Sequence, residues 1–399
     1  MEKPKKILIF STAYYPFVGG AEVAVKEITD RISDIQFDLI TAKFKRDLPK
    51  FERIGNVNVY RLGIGIPILD KLFLPFWGAV FALRLNQKNH YNFFWCMMAT
   101  FASGAAYIAN ILNFWKPVPI ILTLQEGDSE RHFKNRWLGL INLSWKLALK
   151  RTKILTVISS YLADRAKKLG YKGKIEIIPN GVNVGKFKIE LLKPASPSGR
   201  EEKIKIREEL GLEEKDIALI TTSRLVIKNG IGDVIKALPK LPKNIKFVIF
   251  GEGYMNKELK ELAKNLNVSE RVNFKGFVSH NQMPKYLKAC DIFIRASLSE
   301  GFGNSFIEAM ACKIPVIATP VGGIVDFLFE NDPLTPLRAG TGYFCQPENP
   351  ESIAETVKKV LADPNKNQII ESAYNMVLQK YDWNLITSQM KDIFDNIAK

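Results

Sequence analysis

The stretch that decides the fold class is SLSEGFGNSFIEAMACKIPVIATPVGG, residues 297–323. Its pattern predicts a loop that contains Gly301 and Gly303, a helix over 305–312, and a buried strand at 315–319. Glycines ahead of a helix let backbone N–H groups approach a diphosphate, and the helix N-terminus adds positive potential. The stretch therefore predicts a phosphate-binding turn in an α/β sheet.

Two carboxylates stand eight residues apart in this stretch. Glu308 falls one turn into the predicted helix, where a carboxylate can accept both hydroxyls of a ribose. Glu300 lies in the preceding loop and can hold a sugar hydroxyl, while the Ser305 hydroxyl can cap the helix or contact phosphate. Considered as structure alone, the same residues are a capped helix and two surface carboxylates.

Strands and helices alternate on both sides of this stretch, which favours parallel sheets with crossover helices. The first series of predicted strands lies at 6–12, 37–41, 57–61, 93–99, 120–124, 154–158 and 174–178, and the second at 217–222, 247–251, 272–274, 292–295 and 315–319. Between the series, LLKPASPSGR at 191–200 has linker composition. We expect two Rossmann-like, doubly wound domains facing across a cleft, one at 1–190 and one at 200–380, and a final helix at 383–399 that packs back on the first.

The composition excludes several classes of protein. The 399 residues are 47% hydrophobic and 25% charged, and neither Gly nor Pro is enriched, which excludes a disordered or collagen-like chain. The apolar run after the basic N-terminus is too short for a signal peptide. Residues 91–115 carry no charge, but their polar content favours a strand and a helix over a membrane span. Four scattered cysteines and three scattered histidines predict buried free thiols and no zinc cluster.

Positive charge is concentrated in the first half of the chain. The net charge is +16, and residues 1–190 account for +14 of it. Residues 131–174 hold 12 basic residues and one acidic residue, Asp164. Such a field attracts phosphates on a lipid, a nucleic acid or a substrate, and a solvated basic face explains it equally well.

Six short motifs occur together in an order that identifies a family. They are Pro16 with Gly19-Gly20-Ala21-Glu22, Ile178-Pro179-Asn180-Gly181-Val182, Ser223-Arg224-Leu225-Val226 with Lys228-Asn229-Gly230, Gly251-Glu252-Gly253, Val272 with Gly276, and Glu300-x7-Glu308 with Gly322-Gly323. With them the whole chain resembles the retaining GT-B glycosyltransferases of family 4. The resemblance implies transfer of a hexosyl group from a UDP-sugar or GDP-mannose to a glycan, lipid-linked or other hydroxyl acceptor, without a metal ion.

The resemblance also implies roles for particular residues. Arg224 and Lys228 match the cationic pair that binds the diphosphate, and with Glu300 and Gln125 they form the predicted catalytic set. The expected donor-binding residues are Gly19, Gly20, Arg224, Lys228, Gly276, Phe277, Glu300, Gly301, Phe302, Gly303, Asn304, Ser305 and Glu308. Phe277 lies against the nucleobase in this interpretation, and burial in ordinary core is the alternative.

The chain departs from the family pattern at two positions. Many relatives carry the lysine five residues after the arginine, where this chain has Asn229, so Lys228 must reach the phosphate from one position earlier. Relatives often have a histidine where this chain has Gln125, which can donate a hydrogen bond but cannot exchange a proton. Glu126 and Asp128 beside it are candidates for acceptor binding or for plain surface charge. Asn180 is expected to shape a turn.

The expected location is the cytoplasm, peripherally on the inner face of the membrane. Two apolar and aromatic stretches, 72–77 and 137–145, lie in the first half, and the second is interleaved with basic residues that suit an anionic bilayer. Packing of core helices explains this second stretch as well. Other functions that fit less well are a sugar-nucleotide epimerase, a catalytically degenerate protein that binds glycans or nucleotides, and a nucleic-acid-binding protein, for which no recognition motif is present.

Overall fold

The computed structural model of the chain describes residues 4–127, 140–187, 197–330 and 339–397. The chain divides into two compact units. The first comprises Met1–Asn180 and Trp383–Lys399, and the second comprises Gly181–Asp382.

The first unit is built on an eight-stranded sheet. Its strands are β1 (Lys5–Phe10), β2 (Ile35–Ala42), β3 (Phe51–Ile54), β4 (Val57–Leu62), β5 (Phe93–Met97), β6 (Ile120–Leu124), β7 (Ile154–Val157) and β8 (Lys174–Ile177). Their order is β3-β4-β2-β1-β5-β6-β7-β8, and every neighbouring pair is parallel except β3 and β4. The central strands are buried apolar runs, because helices cover both faces of a sheet of this kind.

The sequence analysis did not predict strand β3. Ile54 pairs with Val57, so Gly55 and Asn56 form a two-residue hairpin connection. Gly55 has a φ of 57°, and the Asn56 amide donates to Asp30 Oδ1 at 2.9 Å. This turn adds an antiparallel edge strand to an otherwise parallel sheet.

Helices separate the strands of the first unit. They are α1 (Gly20–Asp30), α2 (Pro67–Asn89), α3 (Phe101–Leu112), α4 (Leu140–Arg151) and α5 (Ser160–Lys168). The uncharged residues 91–115 form β5 and α3, as expected. Across the described part of the chain, every helix is too short or too polar to span a bilayer.

The second unit has a six-stranded, fully parallel sheet. Its strands are β9 (Ile217–Thr222), β10 (Ile245–Phe250), β11 (Val272–Gly276), β12 (Ile292–Arg295), β13 (Val316–Ala318) and β14 (Tyr343–Phe344), in the order β11-β10-β9-β12-β13-β14. Its helices are α6 (Val184–Phe187), α7 (Pro197–Glu209), α8 (Ile231–Ala237), α9 (Asn256–Asn265), α10 (Met283–Ala289), α11 (Asn304–Ala311), α12 (Pro350–Ala362) and α13 (Lys366–Lys380). Because parallel strands end at one edge of a sheet, the loops after β9, β10, β12 and β13 lie side by side.

The boundary between the units differs from the one expected at 190–200. Residues from Gly181 onward already belong to the second unit, where Phe187 is buried and its ring lies 5.5 Å from that of His280. Helix α7 begins at Pro197, inside the stretch with linker composition, because proline suits the first turn of a helix. Residues 188–196 lie outside the described part of the chain.

The last helix, α14 (Trp383–Asn396), completes the core of the first unit. Trp383, Ile386 and Phe394 are buried in one cluster with Ile7 and Trp95. At the helix end, Lys5 Nζ lies 2.6 Å from Asp395 Oδ1.

Both units are doubly wound α/β sheets, so the predicted fold class is confirmed. All four cysteines are buried free thiols, and burial raises the pKa of each.

Candidate functional site

The loop after β12 carries the first carboxylate of the Glu-x7-Glu block. Its backbone is held by the next loop, where the Gly323 amide donates to the Glu300 carbonyl at 3.2 Å. Gly322 has a φ of 57°, and a Cβ there would stand 1.8 Å from the same carbonyl. Glycine is therefore required at 322, and the position of Glu300 depends on it.

Arg295, the last residue of β12, organises the side chains around Glu300. It is 6% exposed, and its Nη2 lies 2.6 Å from Glu300 Oε2. Nη1 donates to Ser305 Oγ at 2.9 Å, Nε donates to Ser297 Oγ at 3.2 Å, and the guanidinium lies over the Phe306 ring. The arginine thus joins the strand end, the loop and helix α11.

Burial and nearby charge act on Arg295 in opposite directions. Burial is the larger effect and lowers the guanidinium pKa, whereas the negative charges of Glu300 and Glu308 raise it. An arginine remains charged through such a shift, because its ordinary pKa is far above neutrality. The Glu300 carboxylate therefore has a fixed counter-charge on one oxygen. Its other oxygen, Oε1, accepts a 3.2 Å bond from the Gly301 amide.

The second carboxylate is paired with a histidine. Glu308 Oε1 lies 2.9 Å from His280 Nε2, and both side chains are partly exposed. His280 follows the loop after β11, close to Gly276 and Phe277. In the sequence, His280 is one of three widely separated histidines, so its pairing with Glu308 was not predicted.

The N-cap of helix α11 is not Ser305. Its N-cap is Gly303, with a φ of 101°, and a Cβ there would stand 2.5 Å from the Phe306 ring. Ser305 lies inside the helix, and its hydroxyl accepts from Arg295. Of the two roles open to Ser305, capping is therefore excluded, and contact with phosphate stays a prediction. Asn304 and Ser305 are both partly exposed in the first turn.

The segment that follows β9 lies against the strand end that precedes Glu300. The Leu298 amide donates to the Lys228 carbonyl at 2.7 Å. Gly230 has a φ of 64°, and a Cβ there would stand 1.7 Å from the Ala296 carbonyl oxygen. The backbone at Lys228 is thus fixed beside the Glu300 loop, while the Arg224 side chain is exposed.

Asn229 has a structural role. It is 5% exposed, and its amide donates to the Arg224 carbonyl at 2.6 Å. Lys228 is partly exposed, whereas its neighbour Asn229 is buried. The structure therefore leaves the lysine, rather than the asparagine, as the candidate for the cationic position.

Two expected donor-binding aromatic residues have opposite surroundings. The Phe277 ring is 72% exposed, so burial in ordinary core is excluded. The Phe302 ring is buried between Phe327 and Tyr381, which leaves only its backbone for a ligand. Gly276, at the end of β11, has a φ of 70°. Gly301 is buried beside Phe302.

In the first unit, the predicted glycine loop leads directly into helix α1. Gly19 is the N-cap, and its amide donates to Glu22 Oε2 at 2.8 Å. Gly19 and Gly20 are both exposed, so their backbone is accessible to a ligand.

Gln125, at the end of β6, is held by an amide pair. Its side chain and that of Asn180 donate to each other, each at 3.2 Å. Asn180 is 4% exposed, so the pair ties β6 to the last residue of the continuous part of the unit.

Glu126, which is partly exposed, lies beside this pair, and backbone amides hold both of its carboxyl oxygens. Its Oε1 accepts from the Ala99 amide at 2.7 Å, and Oε2 accepts from the Gln125 amide at 2.9 Å. Burial raises the pKa of Glu126 to about 7, against the lowering effect of these hydrogen bonds. A plain surface charge is excluded for this residue. Asp128 lies outside the described residues.

Among the described residues, no group of three or more His, Cys, Asp or Glu side chains is arranged to hold a metal ion. The residues that sequence reasoning missed are Arg295 and His280. A charged residue at the end of an otherwise apolar strand, IFIR, was the available signal for Arg295. No local pattern indicated His280.

Two family models match the chain on either side of its middle. One, described as Glycosyltransferase Family 4, matches residues 18–186, and the other, described as Glycosyl transferases group 1, matches residues 202–376. Together they cover most of both units.

Individual proteins show the same likeness. An uncharacterized glycosyltransferase of Methanocaldococcus jannaschii is 27% identical over 98% of this chain and 97% of its own. A GDP-mannose-dependent monoacylated alpha-(1-6)-phosphatidylinositol monomannoside mannosyltransferase of Corynebacterium glutamicum is 28% identical over 61% of this chain and 62% of its own. The crystal structure of HepE from Anabaena in complex with UDP-glucose superposes with a TM-score of 0.77 at 21% identity, covering 98% of this chain and 99% of that one.

Proposed function

The chain belongs to the group 1 glycosyltransferases of family 4, and from this premise we propose that it is a retaining hexosyltransferase. It moves a hexosyl group from a nucleoside diphosphate sugar to a hydroxyl of a glycan or lipid-linked acceptor. The observation that carries the proposal is the arrangement at the end of β12. There, buried Arg295 orients Glu300 near the N-terminus of helix α11, which is capped by Gly303 and contains Glu308.

The second unit supplies the groups that a nucleotide sugar requires. We assign the diphosphate to Arg224, Lys228 and the backbone of 301–305, where N–H groups at a helix N-terminus attract anions. Glu308 accepts the ribose hydroxyls, and Glu300 accepts a sugar hydroxyl with the oxygen that Arg295 does not hold. The exposed Phe277 ring and the backbone at Gly276 receive the base. In the first unit, the exposed residues Gly19 and Gly20 remain the predicted diphosphate contact. The Gly19 amide donates to Glu22 in this structure, so it would have to exchange that partner for the phosphate.

The proposed chemistry requires no resident metal ion and no cofactor. The bond between the anomeric carbon and the diphosphate oxygen breaks, and the acceptor oxygen bonds to that carbon from the same face. The acceptor proton passes to the departing phosphate, because Gln125 cannot exchange one. Fixed cations at Arg224 and Lys228 stabilise the negative charge that develops on the leaving group.

Donor and acceptor are proposed only by class. The HepE structure holds UDP-glucose and the Corynebacterium relative is named for GDP-mannose, so UDP-sugars and GDP-mannose are the donors to compare. That relative is also named for a phosphatidylinositol monomannoside acceptor, which supports a lipid-linked acceptor. We further propose that the acceptor is used peripherally, at the cytoplasmic face of a membrane.

The test combines nucleotide binding with turnover. Thermal shifts with UDP, GDP and ADP identify the base, and the matching donors are then assayed with EDTA present for release of nucleoside diphosphate. We expect release with EDTA and, by NMR of the product, the donor's anomeric configuration. Inversion, or activity only with added metal, would contradict the mechanism.

Two substitutions connect the activity to the site. Arg224→Ala is expected to lower turnover by about 10²–10³-fold, as loss of a fixed transition-state donor does. Lys257→Ala removes an equally exposed cation on helix α9 and should change nothing. Binding of nucleotide without turnover of any donor would instead favour the degenerate binding protein.

A further inference from the structure

Helix α2 presents a continuous apolar face to solvent. Two rows at four-residue spacing form it, and each residue is between 38% and 72% exposed: Ile68, Leu72, Phe76 and Val80 in one row, and Leu69, Phe73 and Trp77 in the other. We name these seven residues the α2 apolar face. The rings of Phe73 and Trp77 are stacked, with their centroids 5.1 Å apart.

The opposite side of the same helix is packed tightly against the unit. Leu74, Gly78, Ala79 and Ala82 are buried there. A Cβ at Gly78 would stand 2.8 Å from Ala105 Cβ, so the two helices α2 and α3 are in close contact. Helix α2 therefore already packs on the unit through its small and buried residues. The exposed rows are a second apolar face, on the opposite side of the helix.

A buried aspartate fixes a cationic loop at the start of this helix. Asp70 accepts the amides of Ile64 and Gly65 at 2.8 and 2.9 Å, and the amide of Phe44 at 3.1 Å. Phe44 is followed by exposed Lys45 and Arg46, with Asp47 next to them. Two cations thus lie at the N-terminal end of the α2 apolar face.

Apart from the exposed Asp47, the exposed charges along this part of the surface are positive. Between Arg53 and Gln125 the sequence contains a single acidic residue, Asp70, and it is fully buried. Exposed charged side chains over the same range are Lys71, Arg84, Lys88 and Lys116. Aliphatic and aromatic residues rimmed by cations match the interface of an anionic bilayer, where rings lie at headgroup depth and cations meet lipid phosphates.

We propose that the α2 apolar face lies on an anionic lipid bilayer, with Lys45, Arg46 and Lys71 against the headgroups. The face extends about 18 Å along the helix, which suits an interfacial helix lying in the membrane plane. A second copy of the chain is a poorer occupant, because a symmetric contact would bring Lys71 and Arg84 of both copies together.

For the second of the two apolar stretches found in the sequence, the structure supports the alternative of core packing. In the stretch 137–145, Trp145 is 1% exposed and belongs to the core, and 137–139 lie outside the described residues. The exposed stretch is the other one, 72–77. The inference extends the membrane part of the proposed function, and it does not depend on the transfer chemistry, which nucleotide binding and turnover test separately.

The test is flotation of the full chain with phosphatidylcholine vesicles, with and without phosphatidylglycerol, at low and high salt. We expect binding to the anionic vesicles at low salt and a loss of at least about tenfold at high salt. Leu72→Glu with Phe76→Glu should lose at least about tenfold in binding, and so should Lys45→Glu with Lys71→Glu. Leu378→Glu, on α13 and 41% exposed, is the matched control and should bind as the unaltered chain does.

Nucleotide thermal shifts verify that each variant is folded. The proposal is overturned by absence of binding to anionic vesicles at low salt, or by unchanged binding of the Leu72/Phe76 variant. An equal loss in the Leu378→Glu control also overturns it. Sedimentation velocity that shows a dimer dissolved by the Leu72/Phe76 substitutions would assign the face to a second copy and likewise overturn it.

Discussion

Both units place carboxyl groups at the ends of parallel strands, but they treat those groups differently. In the second unit, Glu300 is paired with the guanidinium of Arg295, and Glu308 with His280. In the first, both oxygens of Glu126 accept backbone N–H groups, and burial raises its pKa to about 7. Arg295 gives Glu300 a fixed counter-charge and orientation. Glu126 is held by amides instead, and with a pKa raised to about 7 it changes its charge near neutral pH. The second unit thus holds Glu300 in one binding geometry, whereas in the first unit the charge of Glu126 depends on pH.

The largest expected effect on stability comes from removing the guanidinium of Arg295 in the second unit. Arg295→Met leaves Glu300 without its counter-charge in a largely buried place, and we expect it to destabilise the second unit by about 3–5 kcal/mol. Urea unfolding followed by tryptophan fluorescence measures this.

The control for Arg295 is Lys313→Met, whose partner Glu371 is exposed. That substitution should cost less than about 1 kcal/mol, because exposed ion pairs contribute little. Similar small losses in both variants would mean that the Arg295 pair is not an organising element.

Glu308→Gln is expected to have the next largest effect. The substitution keeps the size of the side chain but replaces the carboxylate, which in our proposal accepts hydrogen bonds from the ribose hydroxyls and which also pairs with His280. We expect nucleotide binding to weaken by about 10-fold to 100-fold, the amount that hydrogen bonds to charged groups contribute. Titration calorimetry with the matching nucleoside diphosphate measures it. His280→Ala separates the two roles, since an equal loss there would show that Glu308 acts mainly through the histidine.

The pH dependence of stability tests the first-unit side. Because burial raises the pKa of Glu126 in the folded state, protonation stabilises that state. This stabilisation is fully present below the ordinary carboxyl pKa and is lost as the pH rises through about 7. We expect the urea midpoint of the first unit to fall between pH 5 and pH 8, and the fall to be smaller in Glu126→Gln. An identical pH profile in the variant would mean that Glu126 is already ionised at pH 5.

The smallest expected effect concerns the amide pair beside Glu126. Gln125→Ala removes two hydrogen bonds to Asn180 and should destabilise the first unit by about 1 kcal/mol. A double-mutant cycle with Asn180→Ala measures the coupling between the two side chains. Coupling near zero would show that the pair contributes nothing to the first unit.

Much of the fold could be predicted because the alternation of apolar strands and helices is a local signal. The six motifs also identified the family, and the Glu-x7-Glu block correctly located Glu300 in a loop and Glu308 in the following helix. Edge strand β3 was missed because its four residues are half exposed and carry no buried run. Ser305 does not cap helix α11, and the sequence contains no sign that Arg295 reaches its hydroxyl.

The sequence by itself determined that the chain forms two parallel α/β sheets and belongs to a glycosyltransferase family, since both depend on order and spacing along the chain. Only the tertiary structure decided that Arg295 holds Glu300, that His280 meets Glu308 and that Asn229 is buried. It also decided that the 72–77 stretch faces solvent while Trp145 faces the core. The physical reason is twofold. Apolar side chains at helical spacing form the same sequence pattern whether they face the protein core or the surface. Side chains that pair across 5 to 28 residues, such as Arg295 with Glu300 and His280 with Glu308, come together only when the folded sheet brings their loops to one edge.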